Sequence, residues 1–278
     1  MAQFTNQAQL SYGNVVLSSN VAVGEIVSLL TVTKTAVRQE YSQGSDVTYI
    51  INIVNAGNAA VNNLTVTDDL GAYAFGAGTL TPLDYIDGTV LYFVNGALQP
   101  TPTATAGDGL NIEGISVPAN GNALIVYEAT VNQYAPIGTD GAITNTATVT
   151  GDCANAMASE TITAVSAPIL SITKSVSPIP VSCGETVTYT FLIQNSGASP
   201  LVATDNAVIT DIFNPILSNV TATLNGTPVA FTYDEATGEF RTTEGAVTVP
   251  AATITQNPTT GEFIVTPGAS TLVVTGTI

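Results

Sequence analysis

Residues 29–57 read LLTVTKTAVRQEYSQGSDVTYIINIVNAG, and residues 169–197 read ILSITKSVSPIPVSCGETVTYTFLIQNSG. At one constant offset Lys34 matches Lys174, Gly44 matches Gly184, Tyr49 matches Tyr189 and Asn55 matches Asn195. The match continues outward. LTVTDDL (64–70) answers to AVITDIF (207–213), which pairs Asp68 with Asp211. Asn95-Gly96 and Asn225-Gly226 supply a hairpin turn in each copy. SVPANGNALIVYEATV (116–131) answers to VTPGASTLVVTGTI (265–278). Each copy is a series of short alternating runs split by Gly, Asn, Asp and Pro, the pattern of an antiparallel β-sandwich. No helical period of useful length is visible. The chain therefore reads as all-β, with a first repeat over 29–151, a linker over 152–168 and a second repeat over 169–278.

Composition agrees with a folded, strand-rich chain. Hydrophobic residues make up 45% of the 278 and charged residues only 9%, the reverse of a disordered chain. Val, Ile and Thr are abundant, which suits strands. The net charge is −17 with four basic residues, so the clustered cations that nucleic acid or an anionic membrane requires are missing. There is no His, the commonest general base and zinc ligand. No run of about 18 apolar residues offers a membrane span. The opening MAQFTNQAQLSY has neither the basic nor the apolar region of a secretory signal, and no wall-sorting signal closes the chain.

The cysteines, Cys153 and Cys183, lack the spacing and extra ligands of a metal site. They are either two thiols or one disulfide clamping the repeats together. Asp84, Asp87 and Asp108 sit in turn-rich sequence without calcium-loop spacing and read as solvated acids. No cofactor or metal is expected.

The register of the repeats is informative. Residues 143–151, ITNTATVTG, close repeat one, and repeat two has no such segment before Ile278. Residues 4–13, FTNQAQLSYG, resemble that closing strand but precede repeat one. Lys174 follows Asn145 by 29 positions, and Lys34 follows Asn6 by 28. The expectation is an N-terminal donor strand (1–13) and a linker (14–28), with the donor completing the second sandwich of a neighbouring copy. Phe4, Ala8, Leu10 and Tyr12 share one face of this arm with Asn6, and Thr5, Gln7, Gln9 and Ser11 share the other. The alternatives are a floppy terminus or an arm folded onto its own chain.

Both lysines occupy apolar faces by strand parity. Lys34 shares its face with Leu30, Val32 and Ala36, and Lys174 with Leu170, Ile172 and Val176. Asp68 falls with Leu64 and Val66, Asp211 with Ile209 and Phe213, and Asn145 with Ile143, Ala147 and Val149. Glu128 is assigned inward with Leu124 and Val126, as an alternative proton carrier in repeat one; its counterpart is Gly276. Buried charges must pair or become neutral. A neutral amine beside an asparagine carboxamide, with a protonated aspartate to shuttle the proton, can form a Lys–Asn isopeptide bond with loss of ammonia. The alternative is a buried Lys–Asp ion pair with a hydrogen-bonded Asn.

VTKTA, GSDVTYIINIVNAGN, LTVTDDL and ITNTATV together resemble the bacterial conserved-repeat surface domain family, the "domain of unknown function eleven". The resemblance implies two tandem immunoglobulin-like antiparallel β-sandwiches in a repetitive extracellular protein. It also implies an intramolecular Lys34–Asn145 bond with Asp68, and an intermolecular set of Lys174 and Asp211 with Asn6 of the next copy. The expected role is a filament subunit that polymerises with itself, on a cell or spore surface, with a host-surface or spore-coat protein as anchor. It is not an enzyme beyond autocatalysis of its own bonds. A surface adhesin or carbohydrate-binding stalk module is the second reading.

Overall fold

The computed structural model describes residues 2–26, 30–151 and 154–278. The chain is all-β apart from one 3-10 turn at Ala203–Asp205. It divides into two compact units, residues 1–133 with 143–162, and residues 134–142 with 163–278.

The first unit opens with an arm of four strands, β1 (Ala2–Asn6), β2 (Gln9–Tyr12), β3 (Val15–Ser18) and β4 (Ala22–Ile26). β1 pairs with β4 and β2 with β3, so the arm is one long hairpin turning at Gly13-Asn14. Its centre carries a bulge, where Gln7 and Ala8 face Ser19, Asn20 and Val21. Ser19 fills the gap: its Oγ accepts the Ala8 N–H at 2.9 Å and its own N–H reaches the Ala8 carbonyl at 2.9 Å. Residues 14–28 were expected to be a linker, but Val15–Ser18 and Ala22–Ile26 are strands; residues 27 and 28 lie outside the described residues. The apolar run of these strands lacks a clear alternation, but the two-residue turn at Gly13-Asn14 pairs it with the first strand.

The first sandwich follows. Its strands are β5 (Leu30–Ala36), β6 (Glu40–Tyr41), β7 (Asp46–Asn55), β8 (Val61–Asp68), β9 (Tyr73–Phe75), β10 (Gly78–Leu80), β11 (Leu83–Tyr85), β12 (Leu91–Val94), β13 (Ala97–Leu98), β14 (Thr103–Gly107), β15 (Gly109–Val117), β16 (Gly121–Val131), β17 (Ala142–Gly151) and β18 (Ala154–Ala164). One sheet has the order β13-β12-β16-β7-β5, with β11 also on β16. The other has the order β14-β15-β8-β17-β18-β6. Alternate residues of each strand point into the core: Val47, Tyr49, Ile51 and Ile53 from β7, Ile125 and Tyr127 from β16, Leu64 and Val66 from β8, and Ile143 and Val149 from β17. Each such side chain contributes roughly 1.5–3 kcal/mol of burial. β18 occupies much of the segment expected to be a linker. Its sequence ANAMASETITA puts small alanines on the inner face, which gives little hydrophobic contrast to read.

The second unit has β19 (Leu170–Ser177), β20 (Thr186–Asn195), β21 (Thr210–Ile212), β22 (Ser218–Leu224), β23 (Thr227–Pro228), β24 (Phe231–Asp234), β25 (Glu239–Thr242), β26 (Thr253–Gln256), β27 (Phe263–Thr266) and β28 (Gly268–Thr277). Its larger sheet runs β19-β20-β28-β22-β23, the equivalent of the first sheet of unit one. The opposing sheet is only β21-β25-β24. Phe213, Phe240, Leu272 and Val274 centre its core. Both expected Asn-Gly turns form, with Asn95, Gly96, Asn225 and Gly226 all at positive φ, as a two-residue hairpin turn demands.

One repeated buried amide ties each unit together. Asn55 accepts the Gly57 N–H and donates to the carbonyls of Ala59, Val117 and Pro118. Asn195 accepts from Gly197 and Ile169 and donates to Ser199 and Pro250. Removing either amide leaves several buried backbone groups unpaired. Asn55→Ala and Asn195→Ala should each cost about 2–4 kcal/mol, read as a lowered urea midpoint. A loss under about 0.5 kcal/mol would show that water replaces the amide at no cost.

Candidate functional site

Three elements deliver the polar cluster at the centre of the first sandwich. β5 brings Lys34 from one sheet, while β8 and β17 bring Asp68 and Asn145 from the other. Ala147 lies opposite Asp68 on the neighbouring strand, so Asn145 is the next inward residue along. All three side chains are buried. Lys34 Nζ donates to Asp68 Oδ2 at 2.5 Å. Asp68 Oδ1 also accepts the Leu70 N–H at 3.1 Å.

The fourth member is Tyr127, which sequence reading missed. Its hydroxyl donates to Asp68 Oδ2 at 2.8 Å and accepts from Asn145 Nδ2 at 2.9 Å. It thereby links the carboxylate to the carboxamide. No direct hydrogen bond joins Lys34 to Asn145 among the described residues. Asn145 Oδ1 and the Tyr49 hydroxyl are buried without a hydrogen-bond partner. The Lys34 ammonium lies over two stacked rings, 4.9 Å from the Tyr49 centroid and 5.8 Å from that of Tyr127. Glu128, expected inward, is exposed and approaches Thr48 instead. Strand pairing explains the correction: Tyr127 lies opposite the inward Tyr49, so Glu128 faces outward. The same pairing makes Thr275, not Gly276, the counterpart of Glu128.

Burial sets the electrostatics. Desolvation pushes Lys34 below its ordinary pKa, with Asp68 opposing. Desolvation pushes Asp68 above its ordinary value, with Lys34 and the hydrogen bonds opposing. Tyr127 and Tyr49 are pushed up, first by the same loss of water. Both shifts in the Lys–Asp pair favour its neutral form. Moving the proton from Lys34 to Asp68 leaves the total number of bound protons unchanged.

The second unit holds half of this arrangement. Lys174 donates to Asp211 and lies over Tyr189, Phe191 and Phe213. Val274 stands where Tyr127 does in unit one, and no asparagine joins the pair among the described residues. The Lys174 side chain is 39% exposed, whereas that of Lys34 is 0% exposed. Ile172 is 54% exposed and Val32, its counterpart, 9%. Lys174 lies opposite the buried Phe191 and shares its face, and that face is uncovered among the described residues. In unit one β17 and β18 extend the opposing sheet beyond β8, whereas among the described residues the equivalent β21 has only β25 beside it. Next to Ile172 lies a cavity of about 190 Å³, lined also by Ile193, Leu201, Ile209 and Val247.

The arm residues Phe4, Asn6, Ala8, Leu10 and Tyr12 are all exposed. Cys183 is an exposed thiol, and Cys153 lies outside the described residues, as does any pairing between them. No cluster of three His, Cys, Asp or Glu suited to a metal occurs among the described residues. No helix among them is long and apolar enough to cross a membrane.

No protein-family model matches the chain, and no curated protein matches it. Solved structures do. The major pilin subunit BcpA of Bacillus cereus is 11% identical, with 96% of this chain and 73% of that one covered, at a TM-score of 0.37. The pilus backbone RrgB of Streptococcus pneumoniae is 14% identical, covering 86% and 55%, at 0.33. A collagen-binding domain from a Staphylococcus aureus adhesin is 12% identical, covering 49% and 97%, at 0.31. At such scores and identities these likenesses carry no functional inference.

The Lys34→Met variant tests the electrostatics. It leaves Asp68 buried without its cation, so the aspartate is held protonated in the folded state. A raised folded pKa gives stability that is complete below the unfolded value of 3.8 and lost as pH rises above it. Relative to the Lys34→Met/Asp68→Asn double variant, Lys34→Met should match in melting temperature near pH 4 and fall behind by about 3 kcal/mol or more near pH 7. A gap that does not change with pH would mean that Asp68 is hydrated.

Proposed function

We propose that this chain is a structural subunit that polymerises head to tail, the arm of one copy completing the second sandwich of the next. The observation that carries the reading is the exposure contrast between equivalent residues. Val32 and Lys34 are buried beneath β17, while Ile172 and Lys174 face solvent beside the free edge of β21. An open edge and an apolar groove are what an added strand satisfies.

The arm fits by sequence and by register. In unit one Ala147 lies opposite Asp68 and Val149 opposite Val66. Matching FTNQAQLSYG to ITNTATVTG sets Ala8 opposite Asp211 and Leu10 opposite Ile209, at the cavity beside Ile172. Asn6 then stands to Lys174 and Asp211 as Asn145 stands to Lys34 and Asp68. Phe4, Leu10 and Tyr12 together bring roughly 5–10 kcal/mol of gross burial, against an association cost of similar size.

The proposal extends to covalent locking at both sites. A proton passes from the lysine ammonium to the aspartate. The neutral amine attacks the asparagine Cγ, and the protonated aspartic acid donates to the carboxamide oxygen. In unit one that oxygen is the unpartnered Asn145 Oδ1. The aspartate then takes a proton from the adduct's lysine nitrogen and passes it to the asparagine nitrogen, ammonia leaves, and the hydroxyl proton returns to the aspartate as the carbonyl re-forms. One C–N bond forms, one breaks and nothing is oxidised. Lys34 reacts with Asn145 within the chain, and Lys174 with Asn6 of the next copy. The dry site holds the groups together and supplies the rate. The product is a surface filament, and its high negative charge keeps neighbouring filaments apart.

Purified protein should give filaments by negative-stain microscopy and a ladder after boiling in detergent and reductant. Deleting residues 2–12 should leave monomers, and continued filament growth there would overturn the head-to-tail reading. Asn6→Ala should abolish the ladder. Its monomer should weigh one ammonia less than its sequence if the Lys34–Asn145 bond forms. A full mass would leave the first site as a buried ion pair.

A further inference from the structure

The arm is a hairpin in the single chain, and we infer that the whole hairpin, residues 2–26, is the element donated to the second copy. This rests on the head-to-tail reading above and specifies its occupant.

The first unit shows what fills the place beside β8. It is not one strand but two, β17 and β18, in the order β8-β17-β18. These strands end at Gly151 and begin at Ala154, with two residues between them. Thr144 meets Thr161 through their hydroxyls, and Thr146 meets Ser159, which fixes the register of that pair. The arm repeats it. Tyr12 lies opposite Val15 across a two-residue turn, and Gln9 lies opposite Ser18. With Asn6 on Asn145, these are the places of Gly151 opposite Ala154 and Thr148 opposite Met157. The bulge at Ser19 to Val21 then adds one residue to the second strand.

The side chains agree with the register. On the face that carries Leu10 and Tyr12, the second strand presents Leu17 and Val15 directly opposite. All four are exposed, so the hairpin has one continuous apolar face and nothing over it. In unit one the corresponding face of β18 turns inward, with Ile162 and Ala164 buried. Phe4 lies opposite Gly24, and a Cβ at Gly24 would stand 2.3 Å from the Phe4 ring. Ile143 and Ile162 fill the equivalent place with two mid-sized side chains; the arm fills it with one large ring over none.

The hydrogen bonds point the same way. Donating a single strand would break the pairing of β1 with β4 and of β2 with β3 and remake as many bonds at the edge of β21. Donating the hairpin keeps them all and adds the new row. It also covers Val15 and Leu17, which a single strand would leave in water. A two-stranded hairpin is marginal on its own and gains stability from a sheet to join.

The test is a lock. In a Cys153→Ser/Cys183→Ser background, Ser11→Cys and Val16→Cys lie opposite each other on the face of the hairpin away from Leu10 and Leu17. Oxidised, they hold β2 to β3. The locked protein should assemble within about twofold of its reduced form, since no unzipping is needed. Assembly only after reduction would overturn the inference and favour a single donated strand. Leu17→Lys provides an independent reading. It should slow assembly about tenfold or more, as Leu10→Lys does, because both lose a buried leucine. Wild-type assembly by Leu17→Lys beside a failing Leu10→Lys would also overturn it. Filaments formed after deletion of residues 2–26 would instead remove the head-to-tail reading itself.

Discussion

An ammonium and a carboxylate at the dry centre of a sandwich set the terms for the rest of this molecule. Taking either charge out of water alone is prohibitive. Lys34 and Asp68 therefore meet at 2.5 Å, with two tyrosine rings beneath the amine and two hydrogen bonds on the acid besides the lysine's. This cluster is weak evidence for stability, because an apolar core of the same volume would do as well or better. Its recurrence in both units, at lysine-to-aspartate separations of 34 and 37 residues, points to chemistry or register rather than to folding energy. The neutral form favoured by burial is also the form in which an amine is a nucleophile.

The two units differ most in what lies over the pair. In the first, β17 and β18 close the sheet over the pair. In the second, the described residues leave the corresponding face of β19 open, and water reaches Lys174 and Asp211. Five strands of the larger sheets correspond, β11 being an addition in the first, and the buried asparagines Asn55 and Asn195 anchor the same turn in each. The largest difference lies in the opposing layer, which is the layer that the arm resembles.

Much of this was legible from residue order alone. Lys34, Asp68 and Asn145 stand out because each is a polar residue in a stripe that is otherwise apolar, so a period of two places them without ambiguity. Tyr127 was hidden because ALIVY is apolar on both faces, and parity cannot choose between two apolar faces. Cross-strand pairing with Tyr49 makes the choice, and that is tertiary information. The same limit concealed β18, whose inner face is mostly alanine, and the second half of the arm, where Val15, Val16 and Leu17 run without alternation. The solvent exposure of Lys174 depends on what lies over it, which no local pattern records.

The register that the arm hairpin shares with the β17–β18 hairpin has a kinetic consequence. Both elements suit the same kind of vacancy, so each could enter either unit. The resident pair is tethered to its own vacancy, at an effective concentration on the order of millimolar. A visiting arm is present only at the concentration of free protein. On the head-to-tail proposal, the first vacancy is filled by its own chain at any dilution, and the second only as the concentration of free protein rises. Growth on that proposal is gated by how many copies share a volume, and a dilute pool holds first units that are closed and second units that are open.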